Sequence, residues 1–393
     1  MKVLMFSWEY PPHMVGGLGQ HVFDLSRFMA RNGVTTHIIT PAVKDYPEYQ
    51  VFEGAHIHRV GEPLKEGDNF KSWIFSFNSE AIRRAVHLNS ETGGFDVIHA
   101  HDWLVAYAGR SVSKIFDISL VTTIHATEHG RNKGLHNRFQ LEINEIEKNL
   151  ALEAERVICC SDYMEKEVIE LFEVDNDIIR VIPNGVDPDI FVSLPEDTPF
   201  NISPTDKVVV FMGRLVPEKG VRQLISSFPQ VLANVPEAQL YIAGKGPQKP
   251  ELEKLVSKLD IGDNVHFTGF IREKERNYVY NQAKVAIFPS LYEPFGIVAL
   301  EAMTTNTPVI VGNVGGLAEI VDHRVNGIKV DANNKEDLAN AIIELLCEQE
   351  LADSLIKNAS EMVSSVYSWD AIAQSTIKVY QEAYDCNSKL IAK

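Results

Sequence analysis

The chain has 393 residues, of which 45% are hydrophobic and 23% charged, the proportions of a soluble globular protein long enough for two domains. A formal net charge of −17 argues against nucleic acid or an anionic membrane as the main partner, though not against a local basic pocket. Four cysteines without metal or redox spacing (Cys159, Cys160, Cys347, Cys386), no bilayer-length apolar run and no signal-peptide pattern in Met1–Ser7 give the expectation of a cytoplasmic protein.

Lys2–Ser7 reads as a buried first strand. A loop follows from Trp8 to Gly17, with Pro11-Pro12 and Gly16-Gly17, and then a helix from Leu18 to Asn32 that Gly33 closes. Thr35–Thr40 is a second strand. Alternation continues with a helix through Trp73–Leu88, a strand at Asp96–His99, a helix from Trp103 and a strand at Leu120–Ile124. A long amphipathic helix over Asn137–Ala154, a strand at Arg156–Cys160, a helix from Asp162 and a strand at Ile179–Ile182 complete the first half. Such alternation predicts βαβ units and a parallel, doubly wound sheet.

Residues 193–206, rich in Ser, Pro, Asp and Asn and without period, are expected to be the linker. The first domain is then 1–192 and the second 207–368. The second carries strands at Val208–Met212, Leu240–Ala243, Val265–Thr268, Val285–Phe288, Val309–Val311 and Ile328–Val330. The fold class is α/β, two Rossmann-like doubly wound domains facing a central cleft at the carboxyl ends of both sheets.

The residues that can carry chemistry follow these strands. Gly16-Gly17-Leu18-Gly19 opens the first helix, where free backbone N–H groups favour a phosphate; a flexible βα loop explains it equally, and it is not G-x-G-x-x-G. In the second domain, Met212-Gly213-Arg214-Leu215-Val216-Pro217-Glu218-Lys219-Gly220 stands at the matching place, and Arg214 and Lys219 can converge on a diphosphate. Asp102, after Ile98-His99-Ala100-His101, is either a helix N-cap or a site residue, and His99 is a candidate core histidine. His125 ends a strand, where it can donate to a sugar hydroxyl or a polarised carbonyl; taken alone it reads as structural, and taken with the other strand-end residues as a site residue. Glu128, His129 and Arg131 follow in a loop on the acceptor side. Asp175-Asn176-Asp177 spells D-x-D but falls where Asp and Asn make turns, and is rejected as a metal site.

The most informative stretch runs from Pro289 to Met303. Glu293 lies on a turn set by Pro294 and Gly296; a helix is expected from about Phe295, with Glu301 about two turns in. That combines two carboxylates, suited to sugar hydroxyls, with a helix N-terminus suited to phosphate. Together these suggest a nucleotide-sugar.

On these residues the chain resembles, over its whole length, the retaining glycosyltransferases of family 4 and the glycogen-synthase-like group, which have the GT-B fold. Glu293 to Glu301 matches that group's E-x7-E element. Gly16-Gly17-Leu18, His101-Asp102-Trp103, His125, Asn184-Gly185-Val186-Asp187, Arg214 with Lys219, and Gly315-Gly316 match in order. The resemblance implies that Arg214 and Lys219 bind the donor diphosphate and stabilise the leaving nucleotide. Glu301 holds the ribose, and Glu293 contacts the transferred sugar together with backbone N–H groups of Phe295, Gly296 and Ile297. His125 contacts the sugar near its 6-position, and Asp102 lines the acceptor side. Gly16 and Gly17 let the first domain close on the donor. Phe270 and Ile271 meet the base, the Asn184–Asp187 loop lies on the hinge side, and the last helix, 369–393, crosses back to the first domain. Bacterial glycogen synthases carry a lysine where this chain has Met14 and lack the counterpart of Glu301.

The resulting expectation is a retaining hexosyltransferase that needs no metal or other cofactor. It moves glucose from UDP- or ADP-glucose to a carbohydrate, either an α-glucan or a small sugar, sugar phosphate or lipid-linked acceptor. A sugar-nucleotide epimerase and a non-catalytic nucleotide-sugar binder are the rival readings. Oligomeric state is unspecified.

Overall fold

A computed structural model describes the chain except residues 66, 196–197, 201, 203–205 and 392–393, and describes no side chain of 387–391. It divides into two compact units, one of residues 1–184 with 369–393 and the other of 185–368. The division falls after Asn184, not in 193–206, and part of that expected linker lies outside the described residues. Residues just after the division are tied to the second unit: Asn277 Nδ2 donates to the carbonyls of Ile190 and Ser193.

In the first unit β1 (Lys2–Phe6) leads to α1 (Gly17–Arg31), β2 (Thr35–Pro41), β3 (Tyr49–Phe52), β4 (Ala55–Val60) and α2 (Phe70–Thr92). Then come β5 (Val97–His101), α3 (Ala106–Phe116), β6 (Leu120–Ile124), α4 (Glu128–Asn132), α5 (Arg138–Leu152), β7 (Arg156–Cys159), α6 (Asp162–Phe172) and β8 (Ile179–Val181). The strands form one sheet in the order β3-β4-β2-β1-β5-β6-β7-β8, parallel except where β3 pairs antiparallel with β4. Val3, Met5, Val97 and Val121 are fully buried beneath α1. The final helix, packed on α1, adds Trp369, Ile372, Ala373 and Tyr380 to that core. Its Tyr380 hydroxyl lies 2.7 Å from His99 Nδ1, and its Ala383 carbonyl accepts from Ser119 Oγ at 2.9 Å.

The second unit comprises β9 (Lys207–Met212), α7 (Val221–Asn234), β10 (Ala238–Ala243), α8 (Lys249–Lys258), β11 (Val265–Gly269), α9 (Glu273–Gln282) and β12 (Val285–Phe288). It continues with α10 (Ile297–Thr304), β13 (Val309–Gly312), α11 (Gly315–Ile320), β14 (Ile328–Val330), α12 (Lys335–Cys347) and α13 (Gln349–Val366). The fully parallel sheet runs β11-β10-β9-β12-β13-β14. Its central strands β9, β12 and β13 are almost wholly apolar, as is usual where helices cover both faces; Val209, Phe211, Leu240, Ile242, Ile287 and Ile310 are all buried. Among the described residues no helix is long and apolar enough to cross a membrane.

The β3–β4 hairpin is absent from the expected strands. Its turn is Glu53-Gly54, both at positive φ, the conformation that a two-residue hairpin needs. The polar sequence of β4 hid it: His56 and His58 pack against His37 of β2 in a stack. The His37 ring lies 4.5 Å from His56 and 5.3 Å from His58, within 6° of parallel, and Tyr49 of β3 covers His58 at 5.1 Å. His37 Nδ1 is 3.1 Å from His58 Nε2. Burial, then nearby positive charge, lowers His37 to about 4 and His58 to about 3.

These rings fold neutral but protonate near pH 6.5 when unfolded, so their contribution to stability is complete above that pH and is lost as pH falls towards 4. We predict that the unfolding midpoint drops between pH 7 and pH 5, with His58 accounting for up to about 2 kcal/mol of the loss. Chemical denaturation across that range should show a shallower pH slope in His58→Gln than in the wild type. An unchanged slope refutes the assignment.

Candidate functional site

Each unit gathers polar residues where its parallel strands end, since all the strands in such a sheet point the same way. In the second unit β9 and β12 are neighbours, with Val209 opposite Val285 and Val210 opposite Ala286. The loops leaving them therefore run side by side. Gly220 sits at φ +69°, and a Cβ there would lie 1.8 Å from the Pro289 carbonyl oxygen. The Leu291 N–H donates to the Glu218 carbonyl at 2.7 Å. The approach of the two backbones sets Lys219 Nζ 2.6 Å from Glu293 Oε2, on which Ser290 Oγ also donates at 3.0 Å. Arg214 is more open, its side chain 43% exposed and 3.2 Å from Glu218 Oε1.

Helix α10 begins at Ile297, slightly later than expected, because Phe295 and Gly296 belong to the turn; Gly296 is its N-cap, at φ +112°. Glu301 is thus one turn into the helix rather than two. It is the sole charged residue in Ile297–Thr304 and is buried, with Arg276 of α9 at 2.8 Å. Burial raises its pKa against the pull of that guanidinium. Gly316 has its N–H on the Glu293 carbonyl at 2.9 Å, and a Cβ on it would lie 2.5 Å from Phe295 Cα. Phe270, just past β11, is 66% exposed, with Lys245 Nζ 6.0 Å from its ring. Ile271 follows it, partly buried.

In the first unit His99 is a satisfied core histidine, held by Tyr380 and by Thr123 Oγ1 at 2.8 Å. Asp102 does not cap a helix. Its backbone adopts φ +62° and ψ 176°, a conformation costly for a residue with a Cβ, and its carboxylate accepts from the His125 N–H at 2.7 Å. Arg131 Nη2 is 3.6 Å away. Burial raises Asp102 to about 6, opposed by Arg131 and the backbone donors. Glu128, His129 and Arg131 form the short helix α4, not a loop, because Thr127 caps it through Gly130 N–H at 2.9 Å. Buried Glu147, raised to about 8 by desolvation, accepts from the Glu128 N–H at 3.1 Å.

His125 packs beside His101, with His101 Nδ1 and His125 Nε2 3.2 Å apart. Burial and then Arg131 lower His125 to about 3, so it is an uncharged imidazole at neutral pH. Gly16 and Gly17 open α1, and Glu9 fixes that turn by accepting from the Val15 and Gly16 N–H groups at 2.8 and 2.9 Å. Asp175 Oδ1 accepts from the Asp177 N–H at 3.0 Å, an Asx turn.

Sequence reasoning missed Arg276, Glu218, Ser290, Glu9, Glu147 and His21. His21 alone left a signal, one helical turn after Gly17 and so on the same face. Arg276 and Glu147 act through residues 25 and 19 positions away, whereas Glu9, Glu218 and Ser290 act on neighbours within seven positions.

The description "glycosyl transferases group 1" fits residues 195–362, and "glycosyltransferase family 4" fits residues 15–190. An uncharacterised glycosyltransferase of Methanocaldococcus jannaschii is 36% identical, over 98% of this chain and 99% of its own. Glycogen synthase of Mycobacterium tuberculosis is 32% identical, over 98% and 95%. Among solved structures, sucrose-phosphate synthase of Thermosynechococcus elongatus superposes with a TM-score of 0.84 at 25% identity, covering 98% of this chain and 99% of that one.

Gly220→Ala should destabilise the second unit by about 2–3 kcal/mol, since it combines a strained φ with overlap on Pro289. Gly262→Ala, whose Cβ meets nothing within 4 Å, should stay within about 0.5 kcal/mol. Equal denaturation midpoints for the two variants would contradict this account of the loop contact.

Proposed function

Because this chain belongs to the group 1, family 4 glycosyltransferases, and is therefore a transferase, we propose that it moves glucose from UDP- or ADP-glucose to a carbohydrate, with retention of anomeric configuration. The observation that carries this reading is the Lys219–Glu293 pair, close in sequence to the start of α10, with buried Glu301 one turn further on. A lysine and nearby Arg214 suit a diphosphate. The start of α10 offers N–H groups to an anion. Glu293 accepts hydroxyls of the transferred sugar, and Glu301, oriented by Arg276, accepts those of the ribose. Phe270 and Ile271 meet the base, His125 donates to the sugar near its 6-position, and Asp102, Glu128, His129 and Arg131 serve the acceptor.

The chemistry follows from charge. Departure of the diphosphate develops negative charge on its oxygens, and fixed cations lower that barrier directly. The leaving phosphate can then take the acceptor's proton on the same face of the sugar, so the new bond forms with retention and no enzymatic nucleophile is required. Glu293, already bonded to Lys219 and Ser290, acts as a hydrogen-bond acceptor in this scheme. Arg214 and Lys219 supply the positive charge that a metal ion provides elsewhere.

An α-glucan acceptor is supported by the likeness to glycogen synthase at 32% identity. A sugar phosphate or other small acceptor is the second reading, supported by the likeness to sucrose-phosphate synthase and to D-inositol 3-phosphate glycosyltransferases. Screening UDP- and ADP-glucose for release of nucleoside diphosphate, with and without glycogen, separates the two. Release stimulated by glycogen supports the glucan, and release only with small acceptors overturns it.

Lys219→Ala should lower turnover by well over tenfold, with its melting midpoint followed in parallel because Glu293 loses its partner. Turnover near wild type in a folded variant would remove Lys219 from leaving-group stabilisation.

A further inference from the structure

Three histidines of the first unit lie together, and hydrogen bonds within the protein do not use all their ring nitrogens. His21 stands on α1, His101 at the end of β5 and His125 just past β6. Their ring centroids are 4.8 Å (His21–His125), 5.5 Å (His21–His101) and 5.5 Å (His101–His125) apart. Each ring can bring one nitrogen to within 4.8 Å of the other two. His21 Nδ1 lies 2.6 Å from Asn184 Oδ1. A carboxamide oxygen only accepts, so Nδ1 carries the proton and Nε2 a bare lone pair. Among the described residues that Nε2 is buried without a partner, and so is Nε2 of His101. An imidazole whose far nitrogen donates to a carbonyl while the near one stands bare is arranged as a metal-binding histidine is, with the outer partner fixing the tautomer. Buried polar atoms without partners call for an occupant such as an ion or a water.

We propose that His21, His101 and His125 bind a divalent transition-metal ion of the Zn2+ class, and that the ion, by engaging His125, blocks glycosyl transfer. Three imidazoles suit Zn2+ and its neighbours in the first transition row rather than Mg2+ or Ca2+, which prefer oxygen. Zinc–nitrogen bonds of about 2.0–2.1 Å in a tetrahedral site place two nitrogens about 3.4 Å apart. The three ligand nitrogens lie within 4.8 Å of one another, so ring rotations that release the 3.2 Å hydrogen bond between His101 Nδ1 and His125 Nε2 bring them to that spacing. Water or an anion completes the fourth position. The ion is an inhibitor here, not a cofactor. The blocking half of the proposal rests on the sugar-contacting role proposed for His125; the binding half does not.

The His37–His56–His58 stack makes a built-in comparison. Its nitrogens engage one another, Tyr49 and Arg84, with His56 Nδ1 2.8 Å from the Tyr49 hydroxyl and His58 Nδ1 3.3 Å from Arg84 Nη2. Proximity of rings alone therefore does not define the site; the unpartnered Nε2 atoms of His21 and His101 mark it.

The test uses the full chain without a tag, stripped by a chelator and dialysed. Zn2+ is titrated against a chromophoric chelator, and Co2+ is added in parallel to read the visible bands of a tetrahedral nitrogen site. One equivalent should bind, and His21→Ala and His101→Ala should each weaken binding at least tenfold while His58→Ala does not. Melting curves confirm that the metal-free variants are folded, and His21→Gln replaces His21→Ala if the latter is not. Zn2+ should then lower turnover at least tenfold, reversibly with EDTA. No binding, or equal binding by the wild type and both variants, overturns the site. Stoichiometric binding with unchanged turnover overturns the blocking role and leaves the site standing. Binding in a chain that turns over no nucleotide-sugar would refute the proposed function alone.

Discussion

Two backbones pass so closely in the second unit that only a glycine fits between them. β9 and β12 pair in parallel, and the loops that leave them must share the space above the sheet edge. Gly220 allows the approach to the Pro289 carbonyl, and the Leu291 N–H to Glu218 carbonyl bond locks it. Lys219 and Glu293, 74 residues apart in the chain, are thereby placed 2.6 Å from each other. Taking both charges largely out of water costs free energy that their attraction offsets only in good geometry. The Ser290 hydroxyl supplies part of that geometry. The pair is therefore weak evidence for stability and better evidence for a constrained loop.

The first unit handles polarity differently. It buries imidazoles in their neutral form, and burial lowers the pKa of His21, His99, His101 and His125. His99 has partners on both nitrogens, whereas His21 and His101 each keep one bare among the described residues. Asp102 holds a strained backbone so that its carboxylate reaches the His125 N–H, which fixes where that ring begins. Strain of this kind persists only where surrounding packing overdetermines it. Here β5 and β6 supply the constraint: Asp102 N–H donates to the Thr123 carbonyl at 3.1 Å.

Much of this was legible in the chain. Apolar runs such as Val285–Phe288 and Val208–Met212 read as buried parallel strands because helices on both faces leave them no polar side. Glu293 and Glu301 could be assigned to a loop and a helix from Pro294, Gly296 and the spacing that follows. The β3–β4 hairpin was not legible, because histidines that stack on one another look like surface residues in a hydropathy pattern. Arg276 was equally hidden: it precedes Glu301 by 25 residues, and only the packing of α9 beside α10 brings them together. The two units divide after Asn184, where Ile190 and Ser193 are held to the second unit by Asn277 Nδ2, a bond that composition does not register.

The sequence by itself determined the α/β class, the alternation of elements and the positions at which polar residues leave the strands. Those features depend on local period and on turn residues, which the chain carries within a few positions of where they act. Tertiary structure alone decided which of the polar residues meet. Lys219 found Glu293, Glu301 found Arg276, and His21 came to lie beside His101 and His125 through strand order and helix packing. Such pairings arise from contacts between residues distant along the chain, and neither period nor spacing encodes them.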